Sequence, residues 1–116
     1  MDGRCCGRRK ELESFILHPY YFYKMDTKYL QNKQAEYDAK YWQHSASELE
    51  KIRHITLHLG KLLGKLSTYC ERQEHGENHP TTQIREEVIP DLQVYSLQLA
   101  NLLGVDVADQ YLSRLE

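Results

Sequence analysis

The sequence contains no run of about 18 apolar residues, which is the length that a membrane-spanning helix needs. Its N-terminus carries arginines without the apolar core of a signal peptide, so we expect neither a spanning helix nor such a signal. An excess of charge is also missing, because the formal net charge is -2 at pH 7. General nucleic-acid binding usually requires a basic surface, and this composition argues against it.

Cysteine is scarce, since only Cys5, Cys6 and Cys70 occur. An odd number with two adjacent members suits neither a disulfide framework nor a zinc site. Cys70 falls with the apolar stripe of a predicted helix, so we expect a small core residue there. A reducing cytoplasm fits this cysteine usage best. The sequence also lacks a P-loop, a dinucleotide-binding fingerprint and a nucleophile with its base.

The strongest pattern lies in residues 47–73, where apolar residues recur at intervals of three and four. This stripe consists of Ile52, Ile55, Leu59, Leu62, Leu66 and Tyr69. The spacing predicts one amphipathic helix of about 40 Å. Ser47 and Glu50 have the spacing of a capping box at its start, while Gly76 and Pro80 predict its end.

Two other faces of this helix are candidates for function. One lies at the edge of the stripe and is called here the basic edge: His54, His58, Lys61 and Lys65. The other opposes the stripe and is called the bare face: Leu57, Gly60 and Gly64. Small residues let a second helix approach closely. We therefore expect the bare face to contact another copy in a homodimer or a higher homo-oligomer.

Flanking segments predict further helices. Residues 27–42 should start at Asp26 or Thr27 and bury a largely aromatic face. That face consists of Leu30, Gln34, Tyr37 and Tyr41. Residues 81–103 contain Pro90, which should kink or restart the helix. The stripe of this helix consists of Ile84, Val88, Leu92, Tyr95, Leu99 and Leu102.

A short final helix should begin at Asp106, after a C-cap at Gly104. Short connections between long amphipathic helices favour antiparallel neighbours. We therefore expect an all-α fold over residues 25–116, an antiparallel helical bundle of three long helices plus a short C-terminal helix. Residues 1–24 differ, because residues 20–23 are four consecutive aromatics without helical period. They are either a poorly ordered extension or an arm that docks on a partner subunit.

Carboxylates lie at the edge of the buried stripe of the third helix. Asp91 is one turn from two residues of that stripe, and Glu87 is one turn earlier. A carboxylate so close to a core is rarely free. If the second and third helices form a hairpin about Gly76, Lys65 lies opposite Asp91. We therefore expect the acidic flank to pair with the basic edge.

A family resemblance rests on these same segments. Residues 86–106, EEVIPDLQVYSLQLANLLGVD, resemble the second half of the all-α nucleotide pyrophosphohydrolases of the MazG and dUTPase-like superfamily. Asp91, Tyr95 and Gly104 fall in the family's register. Residues 58–66, HLGKLLGKL, are similar to the earlier helix that carries the family's glutamates. The resemblance implies a MazG-like fold in which carboxylates from two helices hold Mg²⁺ and help to activate water.

The chain departs from that family at the metal ligands. The three glutamate positions of the first motif hold Lys61, Leu62 and Lys65, and Val88 replaces the glutamate of the second motif. Only Asp91 matches the expected set. The resemblance therefore implies a degenerate active site without catalytic residues or a cofactor. We expect a non-catalytic binding or assembly module in which ammonium groups take over the metal's positive charge.

Two alternatives stay open. A divergent Mg²⁺-dependent nucleoside triphosphate pyrophosphohydrolase would recruit Asp91, Glu87 and Glu86, with a contribution from Glu48 or Glu50. A non-hydrolysing nucleotide sensor would bind phosphate at the basic edge. His54 and His58 by themselves make a poor metal site, because the sequence offers neither an HExxH pattern nor an identifiable third ligand.

Overall fold

The computed structural model describes residues 26–42 and 46–116, and this part of the chain is all-helical, without a strand. The four α-helices are α1 (Thr27–Tyr41), α2 (Glu48–Glu74), α3 (Ile89–Leu103) and α4 (Val107–Leu115), with a π-helical stretch, Ile84–Val88, directly before α3. The predicted all-α class is thus confirmed. The two interpretations of residues 1–24 lie outside the described residues.

The N-termini of three helices are set by side-chain caps. In each case the backbone N–H three residues on donates to the cap: 2.7 Å at Asp26, 3.2 Å at Ser47 and 3.0 Å at Asp106. Such a cap satisfies one of the free N–H groups of the first turn and is worth about 1 kcal/mol. All three positions agree with the sequence-based prediction.

Glycines end α2 and α3. Gly76 and Gly104 have φ values of 84° and 69°, the left-handed region that is strained for residues with a Cβ. Beyond Gly104, the Val105 N–H donates to the Ala100 carbonyl at 2.8 Å, which satisfies a carbonyl at the end of α3. These glycines therefore fix where the chain turns between helices.

Pro90 is accommodated by a π-helical turn rather than by a sharp break. The Ile89 N–H donates to the Ile84 carbonyl, five residues back. Proline has no N–H and its ring collides with a normal α-helical carbonyl, so a widened turn ahead of it relieves both problems. The predicted irregularity at Pro90 is confirmed, and its form is a π-helix.

The apolar core of the described residues is small. It consists of Ile55, Leu62, Val88, Leu97 and Ala100, each less than 9% exposed. Ile55 and Leu62 belong to the predicted stripe of α2, and its other members are half-buried. That stripe is therefore confirmed. In α3, by contrast, the buried Leu97 and Ala100 are not members of the predicted stripe, and Leu92, which is a member, is 39% exposed.

The predicted buried face of α1 is wrong. Tyr37 and Tyr41 are 59% and 71% exposed, and the buried residue is Gln31 at 3%. The Gln31 side chain donates to the Val105 carbonyl at 2.9 Å and accepts from the Val107 N–H at 3.0 Å. A buried amide is stable only when its polar atoms are satisfied. The hydrogen bonds of Gln31 satisfy this condition, and they connect α1 to the loop between α3 and α4.

Two further findings concern the surface. Cys70 is an exposed free thiol, so the prediction of a core residue is wrong. None of the helices in residues 26–42 and 46–116 combines the length and the apolarity that crossing a bilayer requires.

Candidate functional site

The basic edge of α2 faces the π-helical stretch and α3. Lys65 Nζ lies 3.3 Å from Glu87 Oε2, with side chains 35% and 50% exposed. The predicted ion pair therefore forms with Glu87, one turn before the expected partner Asp91. The prediction was wrong by one turn of register. Lys65 and Glu87 are equally far from Gly76 along the chain, whereas the predicted partners Lys65 and Asp91 are equally far from a residue later in the loop.

Four rings form a row beside this ion pair, and we call it the aromatic row. Trp42 and His54 have centroids 6.1 Å apart, His54 and His58 are 4.5 Å apart, and His58 stacks on Tyr95 at 5.3 Å with an interplanar angle of 19°. Lys51 Nζ lies 5.4 Å from the centre of the Trp42 ring, a cation–π distance. The row thus connects the end of α1 with α2 and α3.

Half-burial in this row changes the acid–base behaviour of His58. Desolvation lowers the pKa of His58 below its ordinary value of 6.5, His54 and Lys61 lower it further, and Asp91 acts in the opposite direction. His58 is therefore mainly neutral at neutral pH. The fixed positive charge of the basic edge comes from its lysines, and Lys65 is already paired.

Glu87, Asp91 and the Tyr95 hydroxyl are the other titratable groups that interact at this site. Hydrogen bonds from the side chains of Gln83 and Lys65 lower the pKa of Glu87. Burial raises the pKa of the Tyr95 hydroxyl, and the Asp91 carboxylate raises it further. Asp91 is thus half-buried beside the row and acts on Tyr95 and on His58.

The positions that the family resemblance assigns to metal-binding glutamates have other surroundings here. Leu62 and Val88 are buried, at 3% and 1% exposure, Lys65 is ion-paired, and Lys61 is exposed. Glu86, a metal candidate under the alternative interpretation, is exposed. Within the described ranges, no three His, Cys, Asp or Glu side chains are grouped so that they could share a metal ion.

The bare face is open, as its residue types indicated. Leu57 is 64% exposed, and a Cβ added at Gly60 or at Gly64 would meet nothing within 4 Å. The face therefore has the accessibility that the predicted oligomer contact requires, and the contact itself stays a prediction.

A second polar cluster, which was not predicted from the sequence, connects α1 with α3. The Asp38 carboxylate accepts from Gln98 Nε2 at 2.9 Å and from Gln34 Nε2 at 3.0 Å. Gln98 is 9% exposed, and its Oε1 has no hydrogen-bond partner. Gln34 belongs to the predicted buried face of α1, and Gln98 lies beside the predicted stripe of α3. A polar residue in such a position is the sequence feature that could have indicated this cluster.

Geometry thus brings together one ion pair, a ring stack and two buried apolar residues at the interface of α2 with the chain around α3. Comparison of the chain with protein-family models, with curated proteins and with solved structures finds no match.

Proposed function

We propose that the chain is a non-catalytic helical module of MazG-like architecture that acts by assembly. The contacts run in opposite order along α2 and α3, because His58 meets Tyr95 while Lys65 meets Glu87. This order supports an antiparallel arrangement of the two helices, as the predicted bundle requires.

The observation that carries the proposal is the burial of Leu62 and Val88. Both stand where the resemblance would place metal-binding glutamates, and both belong to the small apolar core. A cleft for a hydrated cation needs several carboxylates and access for water. Apolar packing at these two positions serves cohesion between helices instead, and the Lys65–Glu87 pair places opposite charges at the same contact.

Assembly is the role that the remaining surface favours. Large apolar side chains are exposed on all four helices, including Tyr37 on α1, Leu49 on α2, Leu103 on α3 and Leu115 on α4. Two of the exposed apolar side chains, Leu103 and Tyr111, line one open groove, and a contiguous apolar patch on a small protein generally marks a site of protein contact. A homodimer or a higher homo-oligomer is the simplest assembly with such a surface.

The direct test is release of pyrophosphate from a panel of nucleoside triphosphates with Mg²⁺ or Mn²⁺, together with sedimentation of the full chain. We expect no release above that of the Asp91→Ala variant, and a molecular mass above that of the monomer. Turnover that Asp91→Ala abolishes would instead establish the divergent pyrophosphohydrolase, and a chain that stays monomeric at all concentrations would remove the assembly role.

The aromatic row favours a second candidate, a nucleotide sensor without turnover. Stacked rings next to lysine ammonium groups suit a ligand with an aromatic base and phosphates. Nucleotides should then raise the melting temperature, and Lys61→Glu should remove the effect, whereas Lys33→Glu on α1 should not. The absence of any shift at millimolar nucleotide would reject this candidate.

A further inference from the structure

Among the described helices, α4 is the one without a buried residue. Its apolar residues nevertheless recur at helical spacing on one side. Three of them, Tyr111, Leu112 and Leu115, are 61%, 59% and 67% exposed. A helix of only nine residues is marginal in water unless its apolar side is packed. A further contact on this side would therefore stabilise α4.

A groove of about 400 Å³ lies between this side of α4 and the start of α1. Its lining includes Thr27 and Leu30 of α1 and Val107, Tyr111 and Leu112 of α4. The larger groove that contains Leu103 is a separate one, and the two share Val107 and Tyr111. The smaller groove thus belongs to the contact between the first and the last described helices.

The chain enters α1 at this groove. Thr27 is the first residue of α1 and lines the groove. One turn later, Gln31 accepts a hydrogen bond from the N–H of Val107, the first residue of α4, at 3.0 Å. Residues 20–23 are three to six positions before Asp26, so they can reach roughly 10 to 20 Å from it. Because nine helical residues span about 14 Å, this stretch can reach the whole length of α4.

Residues 14–23, SFILHPYYFY, have a composition that suits an apolar groove. With neutral histidine none of them is charged, although 28% of the sequence is charged. The stretch ends in four aromatic residues, 20–23, which we call the aromatic segment. Aromatic side chains bury about 150 to 250 Å² each, and a tyrosine hydroxyl can stay at a wet edge. A groove lined by leucine and tyrosine together with the polar Thr27 and Gln93 fits such side chains.

We propose that the aromatic segment of the same chain occupies the groove between α1 and α4 and holds α4 in place. The proposal differs from an arm that docks on a partner subunit. It also goes beyond the assembly function and does not depend on it, because the larger groove of Leu103 stays available for a second copy.

The short tether favours the chain's own segment over that of a second copy. Lys24, Met25 and Asp26 are the three residues that join Tyr23 to Thr27, which lines the groove. A segment tethered so closely to its site has an effective concentration on the order of millimolar. A second copy that makes no other contact reaches this value only when the protein itself is millimolar.

Hydrogen exchange of the full chain measures how tightly α4 is held. The informative amides are those of residues 111–115, because they donate to carbonyls within α4. We expect them to exchange at least about 100-fold more slowly than in an unstructured chain. Tyr20→Ser, Tyr21→Ser, Phe22→Ser and Tyr23→Ser, made together as the segment variant, should raise their exchange rates at least about tenfold. The amide of the buried Ile55 in α2 should keep its rate.

Leu112→Ala tests the groove side of the contact and keeps a good helix former in α4. Leu57→Ala is the matched control on α2, since the two leucines are 59% and 64% exposed. Leu112→Ala should raise the exchange rates of α4, and Leu57→Ala should change them by less than about twofold. Adding Leu112→Ala to the segment variant should bring less than about a further twofold, because both changes remove the same contact. Far-UV circular dichroism reports whether each variant is folded.

Exchange rates of α4 that the segment variant leaves unchanged would overturn the proposal, and so would effects of the two changes that multiply. A difference between the original chain and the segment variant that disappears on dilution would assign the segment to a second copy, and would also overturn it. A chain that is monomeric at all concentrations, and whose α4 amides still respond to the segment variant, would remove the assembly function and support this proposal.

Discussion

The strongest test of the interface between α2 and α3 replaces Leu62 by glutamate, the residue that the family motif has at this position. Leu62 is 3% exposed, so Leu62→Glu exchanges a buried apolar side chain for a charged one. The lost burial amounts to about 1.5 to 3 kcal/mol, and an unpaired carboxylate in a core costs several kcal/mol more. We therefore expect a loss of about 4 kcal/mol or more. That is a large part of the roughly 5 to 15 kcal/mol by which domains are usually stable.

Urea unfolding followed by circular dichroism, at one protein concentration for all variants, measures this loss. Leu57→Glu is the matched control, since Leu57 is 64% exposed and an exposed substitution should cost no more than about 0.5 kcal/mol. Leu62→Gln separates charge from shape, because the amide has similar volume and no charge. The difference between the Glu and Gln variants should reflect the burial of charge.

The pH dependence of Leu62→Glu has a defined sign. Burial raises the pKa of a carboxyl group in the folded state, so the unfolded state releases its proton first as the pH rises. The variant should therefore lose stability relative to Leu62→Gln as the pH rises above about 4.3, the ordinary glutamate value. A Leu62→Glu variant within about 1 kcal/mol of the original chain at neutral pH would refute the interpretation of this interface as packed core.

Three further predictions follow from individual contacts. Hydrogen bonds from Gln83 and Lys65 lower the pKa of Glu87, so these contacts stabilise the fold above the unfolded pKa, and their contribution is lost as the pH falls through the folded pKa. Glu87→Gln should remove that part of the acid sensitivity in thermal melts, and an unchanged profile would contradict it. His58 should titrate below 6.5 in NMR, and Asp91→Asn should lower its pKa further, because Asp91 raises it; an unshifted resonance would show that the two groups do not interact. Gln31→Leu should cost about 2 to 4 kcal/mol in urea unfolding, because it leaves partly buried backbone groups of Val105 and Val107 without their hydrogen-bond partner. A neutral effect would show that these hydrogen bonds do not contribute to stability.

Local chemistry accounts for the parts of the fold that could be predicted from the sequence. The caps at Asp26, Ser47 and Asp106 depend on a side-chain oxygen and an N–H three residues away, all within one segment. The turns at Gly76 and Gly104 depend on the conformational freedom of glycine. Neither feature needs knowledge of distant residues, so periodicity and turn chemistry suffice.

Parts of the site that depend on how helices meet could not be predicted in this way. The partner of Lys65 is Glu87 rather than Asp91, because the relative shift of two helices depends on their connection and on the π-helical turn before Pro90. The stacking of His58 on Tyr95 depends on the same shift. A displacement of one turn exchanges one carboxylate for another without changing the period of either helix.

Cys70 and Leu92 were both predicted to be buried and are both exposed. The two wrong predictions have the same cause, and this cause is relevant to assembly. Both residues continue an apolar stripe, and periodicity alone assigns every member of a stripe to the core. In the chain by itself, the inner side of each stripe is covered while Cys70 and Leu92 remain on the outer side, exposed. Apolar side chains gain free energy when they leave water, so the exposed side of such a stripe is available for a second contact, as the proposed assembly requires. If the proposed assembly covers this exposed side of α2, Cys70 should react more slowly with a thiol reagent as the protein concentration rises, and a rate that is independent of concentration would show that Cys70 lies outside the contact.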